Sequence, residues 1–88
     1  MGAVMVHVAC VADVGAAVRG VRKRLGMSQG ELALAAGVGV RFLVELERGK
    51  PSVRFELVLR VIEALGGTLE LSWEPPGERL ADNSEASN

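Results

Sequence analysis

The sequence has 88 residues, 49% of them apolar and 24% charged, which fits one small globular domain and excludes a second core. A single cysteine excludes an internal disulfide, as expected in a reducing cytoplasm, and no apolar run is long enough to span a membrane. Residues 18–50 carry seven Lys or Arg and three Glu, whereas residues 51–88 carry three Arg and seven acidic residues, so the net charge of −1 conceals a basic middle. Binding to nucleic acid requires one positively charged face and does not require a positive net charge of the whole protein. A solvated surface with unevenly distributed charge explains the distribution equally well.

The N-terminal part is predicted to form a short strand followed by a helix. Alternating valines at positions 4, 6 and 8 indicate a strand or arm within residues 1–11. Asp13 is expected to cap the first helix, in which apolar residues recur every three or four positions up to Leu25. Gly26 then ends this helix, because glycine adopts the left-handed conformation at little cost. Cys10 is expected to be a small buried residue.

Two short helices are predicted in the middle of the chain. Ser28 and Glu31 have the spacing of a capping box, in which each side chain satisfies a backbone N–H of the first helical turn. This helix is expected to end at Gly37. The next helix covers about residues 40–48 and is expected to end at Gly49, because a proline follows two residues later.

The last predicted helix and the segment after it are both amphipathic. Ser52 is expected to cap a helix that extends to Leu65, with seven apolar residues turned inward: Phe55, Leu57, Val58, Leu59, Val61, Ile62 and Leu65. Strict alternation then indicates a half-buried strand within residues 67–73. A lone strand must find a partner, which is the N-terminal strand, a second copy of the chain, or both. Residues 74–88 are rich in Pro, Gly, Ser, Asn and acidic residues and are expected to form a disordered acidic tail.

The two middle helices have the residue sizes that a helix-turn-helix requires. Ala33 lies where the second helix crosses the first, Gly37 supplies the positive φ of the turn, and Leu43 and Leu46 fill the wedge between the helices. Together with Gln29 they occupy the first, fifth, ninth, fifteenth and eighteenth positions of a twenty-residue unit. This register predicts a helix-turn-helix over residues 28–49. The alternative is a helical hairpin inside a bundle that binds no DNA.

The segments LGMSQGELA (residues 25–33), AGV (36–38) and ELERGKP (45–51) resemble the Xre, or lambda-repressor-like, family of regulators, and within it the HipB-type antitoxins. The resemblance extends over roughly residues 12–71. It implies a mainly α, lambda-repressor-like bundle of about four helices, with a DNA-binding domain at residues 12–66 and short N- and C-terminal strands that pair at a dimer interface. HipB-type proteins form an intersubunit sheet with the C-terminal strand, so the resemblance implies a homodimer on a palindromic operator and assigns three residues to dimerisation: Leu69, Leu71 and Trp73.

The resemblance also implies how individual side chains meet double-stranded DNA. On the outward face of the recognition helix, Arg41 would bind guanine O6 and N7, and Glu45 would accept from cytosine N4 or orient Arg41. Val40 and Val44 would approach base edges on the same face. Gln29 would bond a phosphate or brace a reading side chain. The cations expected at phosphates are Arg48, Lys50, Arg19 and Lys23.

Eight residues are assigned to the scaffold rather than to DNA. In the family that the chain resembles, the pair matching Arg22 and Glu47 forms an ion pair that ties the first helix to the recognition helix. The other six are the capping and packing residues of the motif: Ser28, Glu31, Ala33, Gly37, Leu43 and Leu46.

The leading hypothesis is a repressor of its own operon that is also the antitoxin of a type II toxin–antitoxin pair, with a HipA-like Ser/Thr kinase toxin as partner. One alternative is a stand-alone Xre-type regulator. Another is an interaction module that has lost DNA binding, because Gly39 stands where the family usually has Ser or Thr, Val44 replaces a usual Ser, and the net charge is negative. No catalytic cluster or phosphate-binding glycine loop is present in the sequence, so no enzyme activity, cofactor or metal site is expected. The expected location is the cytoplasm, at the nucleoid when bound to DNA.

Overall fold

A computed structural model of the chain describes residues 4–74. It contains four helices, which are α1 (Val11–Arg24), α2 (Gln29–Ala36), α3 (Val40–Glu47) and α4 (Phe55–Ala64). The predicted mainly α bundle of about four helices is therefore confirmed. No helix within residues 4–74 is both long enough and apolar enough to cross a bilayer.

The core lies where α1, α2, α3 and α4 meet, with α1 packed on α3 and with α2 packed on both α3 and α4. It is entirely aliphatic, as a chain with only 3% aromatic residues requires. Partly buried side chains such as Met27 and Phe42 pack around it. The buried members are Val18, Leu32, Ala33, Leu43, Leu46, Val58 and Val61.

The start of α1 differs from the prediction in one respect. Cys10, not Asp13, is the N-cap, and Asp13 is the third helical residue, where its carboxylate accepts hydrogen bonds from the backbone N–H of Ala9 (2.7 Å) and of Cys10 (3.2 Å). These two bonds hold the pKa of Asp13 below its ordinary value. Asp13 thus accepts hydrogen bonds from backbone N–H groups that precede the helix, and it does so from the first helical turn and not from the N-cap position. The prediction that Cys10 is buried is wrong, because the residue is exposed at this helix end.

Helix α4 begins later than predicted. Its N-cap is Arg54, so the assignment of Ser52 as the cap is wrong. Val53 packs against the core, which keeps the chain after Pro51 extended and moves the first helical turn to Phe55. Of the seven residues predicted to face inward, Val58 and Val61 are buried and Leu57, Ile62 and Leu65 are half-buried. Phe55 and Leu59 are exposed, at 62% and 40% of their surface, so their predicted burial is wrong for the single chain.

The two ends of the described chain lie on the same side of the bundle. Residues 4–8 and 67–72 line one groove together with residues of α1 and α4. Neither segment forms a strand in the single chain over residues 4–74. Pairing of these segments across a dimer interface stays a prediction, as does the division of the chain into an arm, a DNA-binding domain and a dimerisation strand. The predicted acidic tail lies outside the described residues except for Glu74.

Candidate nucleic-acid interface

Helices α2 and α3 are joined with the caps and the turn that the sequence predicts. The Ser28 hydroxyl accepts from the Glu31 N–H at 3.0 Å, and the Glu31 carboxylate accepts from the Ser28 N–H at 2.8 Å, which forms the capping box of α2. Gly37 has a φ of 72°, the left-handed conformation that turns the chain into α3. Ala33 is only 2% exposed, so the two helices approach closely. The start of α2 and the angle to α3 are therefore set by local contacts.

Helix α1 packs closely against α3 and the residue after its C-cap, through contacts at two glycines. A methyl group at Gly15 would overlap the carbonyl oxygen of Leu46, so the backbones of α1 and α3 touch without a side chain between them. At the other end of this contact, a Cβ on Gly49 would lie 2.9 Å from the Ala12 Cβ. Gly49 also has a φ of 84°, which only glycine adopts readily. Side chains larger than hydrogen at these two positions would lift α3 away from α1.

A buried ion pair links the same helices. The Arg22 guanidinium donates to both carboxylate oxygens of Glu47, Nε to Oε2 at 2.7 Å and Nη2 to Oε1 at 2.9 Å, and its Nη1 donates to the Met27 carbonyl at 2.8 Å. Gln29 Nε2 donates to Glu47 Oε1 at 3.0 Å. The side chains of Arg22 and Glu47 are 8% and 2% exposed. This cluster connects α1, the α1–α2 turn, α2 and α3.

The electrostatics of the cluster keep Glu47 ionised. Burial opposes the negative charge, but the hydrogen bonds from Arg22 and Gln29, with the charges of Arg22 and Arg19, outweigh it and hold the pKa of Glu47 below its ordinary value. The bond to Glu47 likewise raises the pKa of Arg22. A bidentate, charge-assisted pair of this kind is the strong form of an ion pair, and breaking it would leave a buried charge. The resemblance had implied the pair, but not the Gln29 amide within it.

The opposite face of α3 is turned to solvent. Leu43 and Leu46 point into the core with no exposed surface. The outward residues are Val40, Arg41, Val44, Glu45 and Arg48, of which Val44 and Glu45 are half-buried and the other three are exposed. Among the residues that the structure describes, neither Arg41 nor Arg48 forms an ion pair or a side-chain hydrogen bond. Both guanidinium groups are therefore available to a ligand.

The end of α3 places a further cation beside this face. The Lys50 ammonium lies 3.4 Å from the Glu45 carboxylate, and both side chains are partly exposed. Arg19 and Lys23 lie one turn apart along the edge of α1 that passes the C-terminal end of α3, and both are exposed. Arg19 is close enough to Glu47 for its charge to lower the pKa of that carboxyl group. Arg19 on α1 thus lies near the C-terminal end of α3, which Arg48 and Lys50 follow.

Two contacts in this region were not anticipated from the sequence. The glycine–backbone contact at Gly15 joins residues more than thirty positions apart, and nothing in the local sequence marks it. Arg60 of α4 donates to the Gly37 carbonyl at 3.4 Å and so connects the turn of the motif to the last helix. Neither contact has a signal in the local sequence, because each depends on how two helices pack.

Comparison with known proteins identifies the family. A family model described as helix-turn-helix matches residues 18–71, which is more than half of the chain. The chain belongs to the helix-turn-helix family. It is a DNA-binding transcriptional regulator of the Xre type, as the sequence motifs predicted. Over 68 residues it is 50% identical to the uncharacterized HTH-type transcriptional regulator y4mF of Sinorhizobium fredii (strain NBRC 101917 / NGR234), covering 77% of this chain and 87% of that relative.

Solved structures agree with this placement. The clp gene regulator ClgR from C. glutamicum is 41% identical, with a TM-score of 0.61, over 67% of this chain and 76% of its own. HipB in the HipB–O4 20mer complex is 18% identical, with a TM-score of 0.71, over 77% of this chain and 96% of its own. At that identity the likeness to HipB concerns the fold alone. None of these comparisons assigns a role to an individual residue of the interface.

Proposed function

We propose that the chain is a sequence-specific repressor that binds a palindromic operator as a homodimer. The observation that carries the proposal is the outward face of α3, where Arg41 and Arg48 are exposed and have no ion-pair partner among the described residues. The helix behind that face is held rigidly by the Arg22–Glu47 pair and by the backbone contact at Gly15. A recognition helix needs this combination, because base edges are read only by side chains held in a fixed register.

Base reading is assigned to four residues of α3. Arg41, near the start of the helix, presents the forked donor that matches O6 and N7 of guanine in the major groove. Val40 and Val44 offer apolar surface for a thymine methyl group. Glu45 offers an acceptor for cytosine N4.

Phosphate binding is assigned to side chains around that face. Arg48 and Lys50 flank the end of α3, and Arg19 and Lys23 lie on the adjacent edge of α1. Gln29 stands at the start of α2, where backbone N–H groups point outward and favour a phosphate. Such contacts position the protein on DNA and carry no sequence information themselves.

The homodimer is supported by the groove that residues 4–8 and 67–72 line with α1 and α4. Residues 4–8 and 68–74 are in no helix or strand and form no backbone hydrogen bonds with the rest of residues 4–74. Leu69, Leu71 and Trp73 are 38%, 79% and 61% exposed, and Leu69 and Leu71 line the groove together with the exposed Phe55. Exposed apolar side chains beside unpaired strand-like backbone favour addition of a second chain.

One selection experiment tests the proposal. The purified protein is incubated with random DNA, bound sequences are recovered, and the mass of the complex is measured in solution. We expect a palindromic consensus, two chains per site, and an affinity that falls steeply with salt. A protein that binds no DNA at low salt would instead be an interaction module that has kept the fold.

An antitoxin role is the second candidate. Its support is the likeness in fold to HipB, which extends over 96% of that chain. The identity of 41% to ClgR favours instead a regulator that acts without a toxin. Co-expression with any kinase-like protein encoded beside the gene separates the two, since an antitoxin forms a stable complex with it and relieves its toxicity. In that case the dimer would also repress its own operon.

A further inference from the structure

Lys50 and Glu45 interact through their backbones and through their side chains, at the C-terminal end of α3. Gly49 donates its N–H to the Leu46 carbonyl at 2.9 Å, and Lys50 donates its N–H to the Glu45 carbonyl at 3.0 Å. Together with the left-handed Gly49, these two bonds form a Schellman motif, which fixes the backbone of Lys50 above the last turn of the helix. The Lys50 ammonium then lies 3.4 Å from the Glu45 carboxylate. The helix cap therefore holds the Lys50 backbone at a place from which its side chain reaches Glu45.

The surroundings leave Glu45 with this single cation. No basic residue lies in the last turn of α3 itself, where the helix dipole disfavours negative charge. The only other acid in that turn, Glu47, is paired with Arg22 on the inner face. Arg41 lies one turn before Glu45 and forms no ion pair with it among the described residues. Within residues 4–74, Lys50 is the cation that forms an ion pair with Glu45 on the outward face.

We propose that Lys50 is a positioning residue for base reading, which sets the orientation of the Glu45 carboxylate on the DNA-binding face instead of serving only as a phosphate contact. The inference rests on the proposed function and refines it. A carboxylate on a face that approaches phosphates is repelled unless a cation neutralises it and aims it at a donor such as cytosine N4. An exposed ion pair adds little to folding stability, so its effect is expected in base preference.

The test compares variants on the selected operator and on all of its single-base-pair changes. We expect Lys50→Ala and Glu45→Gln to change the relative affinity at the same base pairs, by about five-fold or more. In the double variant, Lys50→Ala should cause no further change in preference beyond that of Glu45→Gln. Lys50→Arg should restore the wild-type preference, because it keeps a cation in reach of the carboxylate.

Arg48→Ala is the matched control, because Arg48 is an exposed cation on the same face with no partner among the described residues. It should weaken binding to all sequences by one common factor and lower the salt dependence by about one unit of slope. If Lys50→Ala behaves as Arg48→Ala does, while the wild type binds its operator, the inference is overturned and the proposed function stands. If the wild type shows no salt-dependent DNA binding, both fail.

Discussion

The two faces of α3 differ in how their side chains are held, and the difference separates folding from recognition. The inward face carries Leu43 and Leu46, which are fully buried, and Glu47, whose carboxylate receives three hydrogen bonds from Arg22 and Gln29. The outward face carries Arg41, which has no partner among the described residues, and Glu45, whose partner is a single exposed lysine. Changes on the inward face should therefore alter stability, and changes on the outward face should alter DNA binding in a protein that remains folded.

The largest expected loss of stability comes from adding a side chain at Gly15, where the backbones of α1 and α3 touch. Gly15→Val places a side chain against the Leu46 carbonyl, and no rotamer relieves a clash that involves the Cβ atom itself. We expect a loss of at least about 3 kcal/mol in the free energy of unfolding, measured by urea denaturation. The control is Gly20→Ala on the same helix, where a Cβ meets no atom within 4 Å and a gain of up to about 1 kcal/mol is expected. Equal effects at the two positions would contradict the close approach of the helices.

Removing the buried Glu47 carboxylate should lower the free energy of unfolding by a similar amount. Glu47→Ala leaves the Arg22 guanidinium buried without its counter-charge, and about 3 kcal/mol of stability should be lost. Glu63→Ala on α4 is the control, since Glu63 is exposed and has no ion pair within residues 4–74. Thermal unfolding of both variants, followed by circular dichroism, measures the difference. A Glu47→Ala protein as stable as its control would mean that the pair contributes nothing net.

On the outward face, Arg41→Ala should leave stability unchanged and relax recognition. Loss of one guanidinium that contacts guanine should cost about 1–3 kcal/mol of discrimination at one position of each half-site. Titration of the variant with the selected operator and its single-base changes measures this. Arg24→Ala, which removes an exposed cation at the end of α1, is the control and should change the preference at no position. Unaltered preference in Arg41→Ala would assign base reading elsewhere.

The smallest expected effect is a pH dependence of the free energy of unfolding, which arises from Glu47 on the inward face of α3. The pKa of Glu47 is lower in the folded chain than its ordinary value of 4.5, so the folded state binds fewer protons there than the unfolded state does. Its contribution to stability is therefore complete above pH 4.5 and is lost as the pH falls through the lowered pKa. Asp13 acts in the same direction. The free energy of unfolding should fall below about pH 4.5, and less steeply in Glu47→Gln; identical slopes would refute the assignment.

Local interactions explain why much of the motif was predictable. The Ser28–Glu31 box and the glycines at positions 26, 37 and 49 act through backbone atoms within a few residues, and the structure contains them where the sequence placed them. The starts of α1 and α4 were misplaced for the opposite reason. Cys10 is not a favoured cap, and Arg54 became one because Val53 is drawn to a core that forms from distant residues.

The candidate site divides in the same way. Spacing predicted that Leu43 and Leu46 face inward, and the family resemblance implied that Arg41, Val44 and Glu45 lie on the outward face, where the structure has them half-buried or exposed. Neither the spacing nor the resemblance revealed that Gln29 completes the ion pair or that Lys50 is joined to Glu45. These contacts depend on how the helices cross and on where the chain points after its cap.

The amino-acid sequence by itself determined the number of helices, the capping box of α2 and the glycines that end the helices, and with them the family. Only the tertiary structure decided which polar side chains form hydrogen bonds inside the molecule and which remain free to bind a ligand. Arg22 and Arg41 are the same residue type on neighbouring helices, yet Arg22 is 7% exposed and donates three hydrogen bonds to Glu47 and Met27, whereas Arg41 is exposed and unbound within the described chain. The physical reason is that hydrogen-bond partners far apart in sequence are brought together by packing, which composition and periodicity do not encode.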